Sequence, residues 1–81
     1  MSRLPRDVSG RDLARALRKF GYETVRRTGS HMRLARTEGG EHHITIPDHS
    51  SLKVGTLSAI LKDIASHVRM TREELLDRLE L

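Results

Sequence analysis

Tyr22-Glu23-Thr24-Val25-Arg26-Arg27-Thr28-Gly29-Ser30-His31-Met32-Arg33-Leu34-Ala35-Arg36, continued through Glu38-Gly39-Gly40 to His42-His43-Ile44-Thr45-Ile46-Pro47, decides the fold. Runs of strand-forming residues are separated by short glycine-containing turns, the pattern of consecutive antiparallel hairpins. Strands are expected over residues 22–27, 31–36 and 42–46. Pro47 should stop the third, because proline has no backbone N–H to donate to a ladder. Successive side chains of a strand point to opposite faces. Met32 and Leu34 therefore share one face, as do Ile44 and Ile46, and these four are assigned to the core. His31, Arg33 and Ala35 fall on the opposite face, with His43 and Thr45.

Helical signals lie on both sides of this segment. Ser9-Gly10-Arg11-Asp12 reads as a helix start, with a capping serine and an acidic residue in the first turn. Leu13, Ala16, Leu17 and Phe20 recur at helical spacing, and Gly21 is a suitable stop, which predicts a helix over residues 10–20. Beyond Pro47 a loop over 48–55 leads to a second helix from Thr56 to His67, with Leu57, Ile60, Leu61, Ile64, Ala65 and Val68 as its apolar stripe. Thr71-Arg72-Glu73-Glu74 is a capping box, and Leu75, Leu76 and Leu79 carry a short third helix over 71–80. The expected class is α+β, a three-stranded antiparallel sheet whose apolar face is covered by helices. The α-β-β-β-α order resembles a double-stranded-RNA-binding domain with a short C-terminal helix added.

Length and charge narrow the functional classes. The 81 residues are expected to form one domain over 1–81. So small a domain buries only roughly 60% of its unfolded surface, so a partner surface could add stability. There is no cysteine, hence no disulfide and no thiolate metal site. No apolar run approaches the roughly 18 residues of a membrane span. The start, Met1-Ser2-Arg3-Leu4-Pro5-Arg6, lacks the apolar core of a signal peptide, which suits a cytoplasmic protein without membrane contact. The net charge is +4 and the pI about 10.3, as in nucleic-acid binders. Residues 1–40 hold ten Lys/Arg against four Asp/Glu, and residues 41–81 hold five against seven. The positive field therefore belongs to the first helix and first hairpin. Twelve of the fifteen basic residues are arginine, which suits bidentate phosphate binding and equally fits a base-composition bias of the genome. Phe20 and Tyr22 are the only aromatics, which argues against modules that stack several bases on aromatic rings.

A family resemblance rests on Ser9-Gly10-Arg11-Asp12-Leu13, Phe20-Gly21-Tyr22, Gly29-Ser30-His31, His43-Ile44-Thr45-Ile46-Pro47-Asp48-His49, Leu52-Lys53-Val54-Gly55-Thr56-Leu57 and Ile60-Leu61. In this order and spacing the chain resembles HicA toxins, small bacterial RNA-cleaving proteins paired with HicB antitoxins, over about residues 9–65. The resemblance implies the double-stranded-RNA-binding fold. It also implies an endoribonuclease (mRNA interferase) acting on messenger RNA as the toxin of a type II pair, held inactive by a HicB-like antitoxin. The family's catalytic histidine lies in its Gly-Ser-His motif, and that role carries over to His31. Two departures stand out: the tail from Ser66 to Leu81 is longer than the family's short ending, and Met32-Arg33-Leu34-Ala35 is less aromatic.

The chemistry fits these residue types. A base that takes the proton of an RNA 2′-hydroxyl lets that oxygen attack the adjacent phosphorus while the 5′-oxygen leaves. Neither a metal nor a cofactor is required. Histidine titrates near neutrality and suits either proton transfer, and cationic side chains stabilise charge on the phosphoryl oxygens. His31 is the candidate base or acid, with Arg26, Arg27, Arg33 and Ser30 as candidate RNA contacts. His43, read as lying beside His31, and His49 are candidates for the other proton. Lys53 and Thr56 lead into the second helix, whose N-terminal amides favour an anion. Plainer readings stand beside each of these. His31 can simply decorate a solvated hairpin, Thr56 can simply cap the helix, and Asp48-His49 can orient the loop. His42, expected to face inward, and His67, near a helix C-terminus, read as structural. His42, His43, Asp48 and His49 are metal-ligand types, but no paired carboxylates of a two-metal nuclease accompany them. The rival classes are a non-catalytic RNA-binding module of the same fold and a protein-interaction domain.

Overall fold

A computed structural model describes residues 4–81. The segment read above for a signal peptide begins with residues 1–3, which lie outside the described residues. The Ser9 side chain accepts from the Asp12 amide at 3.0 Å and starts helix α1, Gly10–Ala16. The last turn tightens into a 3-10 helix, Leu17–Phe20, and Gly21 ends it with φ 86°. The single helix expected over 10–20 is therefore an α-helix finished by a 3-10 turn.

Strands β1 (Glu23–Thr28), β2 (His31–Arg36) and β3 (His42–Pro47) follow and pair antiparallel in the order β1-β2-β3. Met32, Leu34, Ile44 and Ile46 are buried, while His31, Arg33, His43 and Thr45 are exposed, as alternation requires. Helix α2 spans Val54–Val68. Its N-cap is Lys53, whose carbonyl accepts from the Leu57 amide at 2.9 Å, so Thr56 is the third residue of the helix and not its cap. The early start has a local cause. Leu52 is buried and its amide donates to the Val8 carbonyl at 2.7 Å, so the chain is free to turn into the helix directly after it. Helix α3, Arg72–Leu79, carries the complete capping box expected from the sequence: Thr71 accepts from the Glu74 amide at 3.1 Å and Glu74 accepts from the Thr71 amide at 2.9 Å.

The helices lie on the apolar face of the sheet, and one core joins Leu13 and Leu17 to Met32, Leu34, Ile44, Ile46, Leu57, Leu61, Ile64, Leu75 and Leu79. The shortest dimension is 17 Å, room for two layers, and the second face of the sheet is bare. His42 faces inward as expected. Its Nδ1 lies 2.6 Å from the Tyr22 hydroxyl and its Nε2 3.2 Å from Asp63 Oδ1, and its ring stacks on His67 at 4.4 Å. A neutral ring protonated at Nε2 satisfies both contacts, accepting from Tyr22 and donating to Asp63. Gly10 fixes the helix against the sheet. A Cβ there would lie 2.0 Å from the Pro47 carbonyl oxygen, so only glycine lets α1 approach the end of β3. Among the described residues no helix is long and apolar enough to cross a membrane.

Candidate functional site

The turn that carries His31 is a two-residue loop, Gly29-Ser30, between the paired residues Thr28 and His31. Gly29 has φ 56° and open space around it, so glycine is needed there for its backbone and not for room. A glycine first in a two-residue loop is the pattern of a type II′ hairpin, whose twist matches that of the flanking strands. The loop is anchored from outside. The Asp48 amide donates to the Ser30 carbonyl at 2.6 Å, and the Gly10 amide donates to the His49 carbonyl at 2.9 Å. The end of β3 and the start of α1 therefore hold the turn in place.

The register arranges the bare face in rows. His31 lies between Thr28 and Pro47, Arg33 between Arg26 and Thr45, and Ala35 between Glu23 and His43. Rows are roughly 7 Å apart, two residues along a strand. The His31 imidazole thus adjoins a row in which two arginines stand directly opposite each other. Like charges directly opposite across a ladder are destabilising. Neither Arg26 nor Arg33 has an ion-pair partner among the described residues. An anion between them would relieve the repulsion.

The register also corrects one expectation. His43 shares the face of His31 but not its row. It lies opposite Ala35, four residues along β2 and roughly 13 Å away. Its Nε2 is engaged by Glu41 at 2.6 Å. His49 follows Asp48, whose backbone touches the turn, and stands at the His31 end of the sheet with an exposed side chain.

Arg26 and Arg27 part company. Arg26 is opposite Arg33 on the bare face, while Arg27 is opposite Met32 on the helix side. There Arg27 Nη1 lies 3.5 Å from Asp48 Oδ2. Arg11 grips the same carboxylate, with Nε donating to Oδ1 at 3.1 Å and Nη2 to Oδ2 at 3.3 Å. The Arg11 hydrogen bond, helped by the charges of Arg11 and Arg27, holds the Asp48 carboxyl below the usual carboxylate range against the effect of partial burial. The clamp formed by Asp48 is a feature the sequence did not disclose, since its partners lie 37 and 21 residues away. Lys53 is exposed at the entrance to α2 and Thr56 is half-buried in its first turn. Among the described residues no three His, Cys, Asp or Glu side chains are grouped to hold a metal ion. His42 and His43 face opposite sides of the sheet.

A family model described as "HicA toxin of bacterial toxin-antitoxin" matches residues 10–65, more than half of the chain. Comparison with curated proteins and with solved structures gives no match.

Proposed function

The chain belongs to the HicA toxin family of bacterial toxin–antitoxin systems, and from that membership we propose that it is a metal-independent endoribonuclease that cleaves messenger RNA with His31. The observation that carries the reading is the exposed imidazole of His31 one row from the opposed, unpaired Arg26 and Arg33. A phosphate held between the two guanidiniums brings its neighbouring 2′-hydroxyl within reach of that imidazole. His31 takes the 2′-hydroxyl proton, the 2′-oxygen bonds to phosphorus, and the bond from phosphorus to the 5′-oxygen breaks. The products are a 2′,3′-cyclic phosphate and a 5′-hydroxyl, which collects a proton from a second acid. The arginines stabilise the charge that builds on the phosphoryl oxygens, where preorganised donors contribute most. The register supports His49 over His43 as the second proton-transfer group. Ser30, Arg27, Lys53 and Thr56 extend the RNA contact around the turn and along the loop to α2.

Replacing His31 separates cutting from binding. His31→Ala should reduce cleavage by about 100-fold or more, the usual contribution of a positioned acid or base. RNA affinity should stay within about threefold, since most of it comes from phosphate contacts. Equal losses of both, or cleavage that survives the substitution, would remove His31 from the chemistry. A domain that binds RNA and never cuts it would be the binding module instead.

The partner follows from the same surface. An acidic HicB-like antitoxin that covers His31 and Arg33 would exclude RNA, and opposite charge would speed its capture. Hydrogen exchange in the complex should show protection over residues 26–36. Free exchange of that hairpin in a complex that no longer cleaves RNA would show that neutralisation acts elsewhere.

A further inference from the structure

Helices α1 and α2 cover β2 and β3 but leave β1, whose six residues are all exposed. On the helix side this omission opens a groove of about 620 Å³ between α1 and β1. Its walls carry Arg11, Arg15 and Arg18 from the helical segment and Arg27 from the strand, with Glu23 as the one carboxylate among the lining residues. Arg18 has no ion-pair partner among the described residues, and Arg15 has only Asp12 at 3.7 Å. The groove contains no aromatic ring. Such a surface holds phosphates through guanidinium forks and does not read bases. Its volume falls in the roughly 300–1,000 Å³ range of small-ligand clefts, room for part of a single strand and not for a duplex.

The groove is continuous with the His31 face. A bulge between Thr24 and Arg26 resets the alternation of β1, so that Arg26 points to the bare face and Arg27 into the groove. These two adjacent arginines straddle the free edge of the sheet. Asp48 joins the groove to the turn as well, because its carboxylate holds Arg11 and Arg27 while its amide holds Ser30. We propose that the α1–β1 groove is a second RNA subsite, in which the single strand leaving the His31 row crosses the β1 edge and lays its flanking phosphates against Arg15, Arg18 and Arg27. An acidic protein segment would satisfy the charge alone. Continuity with the Arg26–Arg33 row around one strand edge favours the RNA that the row itself would hold. The inference rests on the reading that the bare face takes an RNA strand. It does not depend on that strand being cut.

Binding in the non-cleaving His31→Ala background tests it, with fluorescein-labelled, 2′-O-methyl RNA of about twelve or about three nucleotides and a charge-removing Arg15→Gln/Arg18→Gln pair, exposed on α1 and on the 3-10 turn that follows it. For the long RNA the pair should weaken affinity on the order of tenfold at 0.1 M salt and lower the salt slope by about 1.4, roughly 0.7 for each single-strand phosphate contact. The short RNA should lose less than about twofold, because it does not reach the groove. Arg78→Gln, in the acidic half, is the control for net charge. Equal losses for long and short RNA, or a loss matched by Arg78→Gln, would reduce the groove to general electrostatics. Unchanged RNA binding with a comparable loss in affinity for the antitoxin would assign it to the protein partner. If the wild-type protein cuts no RNA but the long RNA still depends on Arg15 and Arg18, the nuclease reading fails and the subsite stands.

Discussion

At the scale of single residues, Asp48 and Gly10 hold the site together although neither touches the proposed chemistry. Asp48 ties α1, β1 and the His31 turn together. Its pKa is held down in the folded protein, chiefly by the Arg11 hydrogen bond. A group of this kind binds protons less readily folded than unfolded, so it adds stability above its ordinary pKa and loses it as pH falls through the depressed value. Denaturation followed from pH 7 to pH 2 should therefore show a shallower acid limb for Asp48→Asn than for the wild type, the two curves converging at the acid end. Parallel curves would mean that the clamp contributes nothing to folding. Parity along the strand was enough to place His31 and Arg33 on one face and Met32 and Leu34 on the other. It was not enough to place His43, because parity gives a face while the loop gives the register. With Arg36 paired to His42, His31 must meet Pro47. Gly10 reads in the sequence as part of a helix start. Its need for a bare Cα comes from Pro47, a contact that local pattern cannot contain.

Among the elements, α3 has the most to explain, since the family match ends at residue 65. Leu75 and Leu79 are buried in the chain's own core. Lys19 donates to the Arg78 carbonyl at 3.2 Å and pairs with Glu80 at 2.8 Å, which fastens the end of α3 to the 3-10 turn. The helix is a structural addition that enlarges a small core. Leu75→Ala should cost about 2–5 kcal/mol, a large part of the roughly 5–15 kcal/mol typical of a domain. The melting temperature should fall by roughly 10 °C or more, as domains of this length shift several degrees per kcal/mol. A fall of only a degree or two would place α3 outside the cooperative core. The capping box made this helix legible, because both of its hydrogen bonds are local. The bulge in β1 was not legible. Thr24-Val25-Arg26-Arg27 reads as plain alternation, and only the pairing with β2 reveals the extra residue that decides which of Arg26 and Arg27 takes the bare face. Arg11, Arg15 and Arg18 stand at i, i+4 and i+7, a stripe that the apolar spacing of Leu13, Ala16 and Leu17 did not single out. Its significance depended on knowing that no helix covers β1.

For the whole molecule, a sheet with helices on one side leaves a thin, two-layer body whose basic residues gather at the β1 edge and on the bare face. Three of the seven acidic residues of the second half lie on α3, where Glu73 and Glu74 occupy the first turn and are favoured by the helix dipole. The two halves of the sequence meet in space, with Asp48 held between Arg11 and Arg27 and Glu80 paired with Lys19, while Arg26 and Arg33 on the bare face keep their charge unpaired among the described residues and suit that face to an anionic polymer. The central claim is that this side positions RNA so that its own 2′-hydroxyl becomes the nucleophile under the action of His31. The most direct measurement is cleavage, in excess EDTA, of one RNA against the same RNA carrying a single 2′-deoxyribose at the cut position. The all-ribose strand should be cut to a 5′ fragment ending in a 2′,3′-cyclic or 3′-phosphate, and the substituted strand should resist at that position. Efficient cutting of the deoxy-substituted strand, or activity lost on chelation and restored by magnesium, would contradict it.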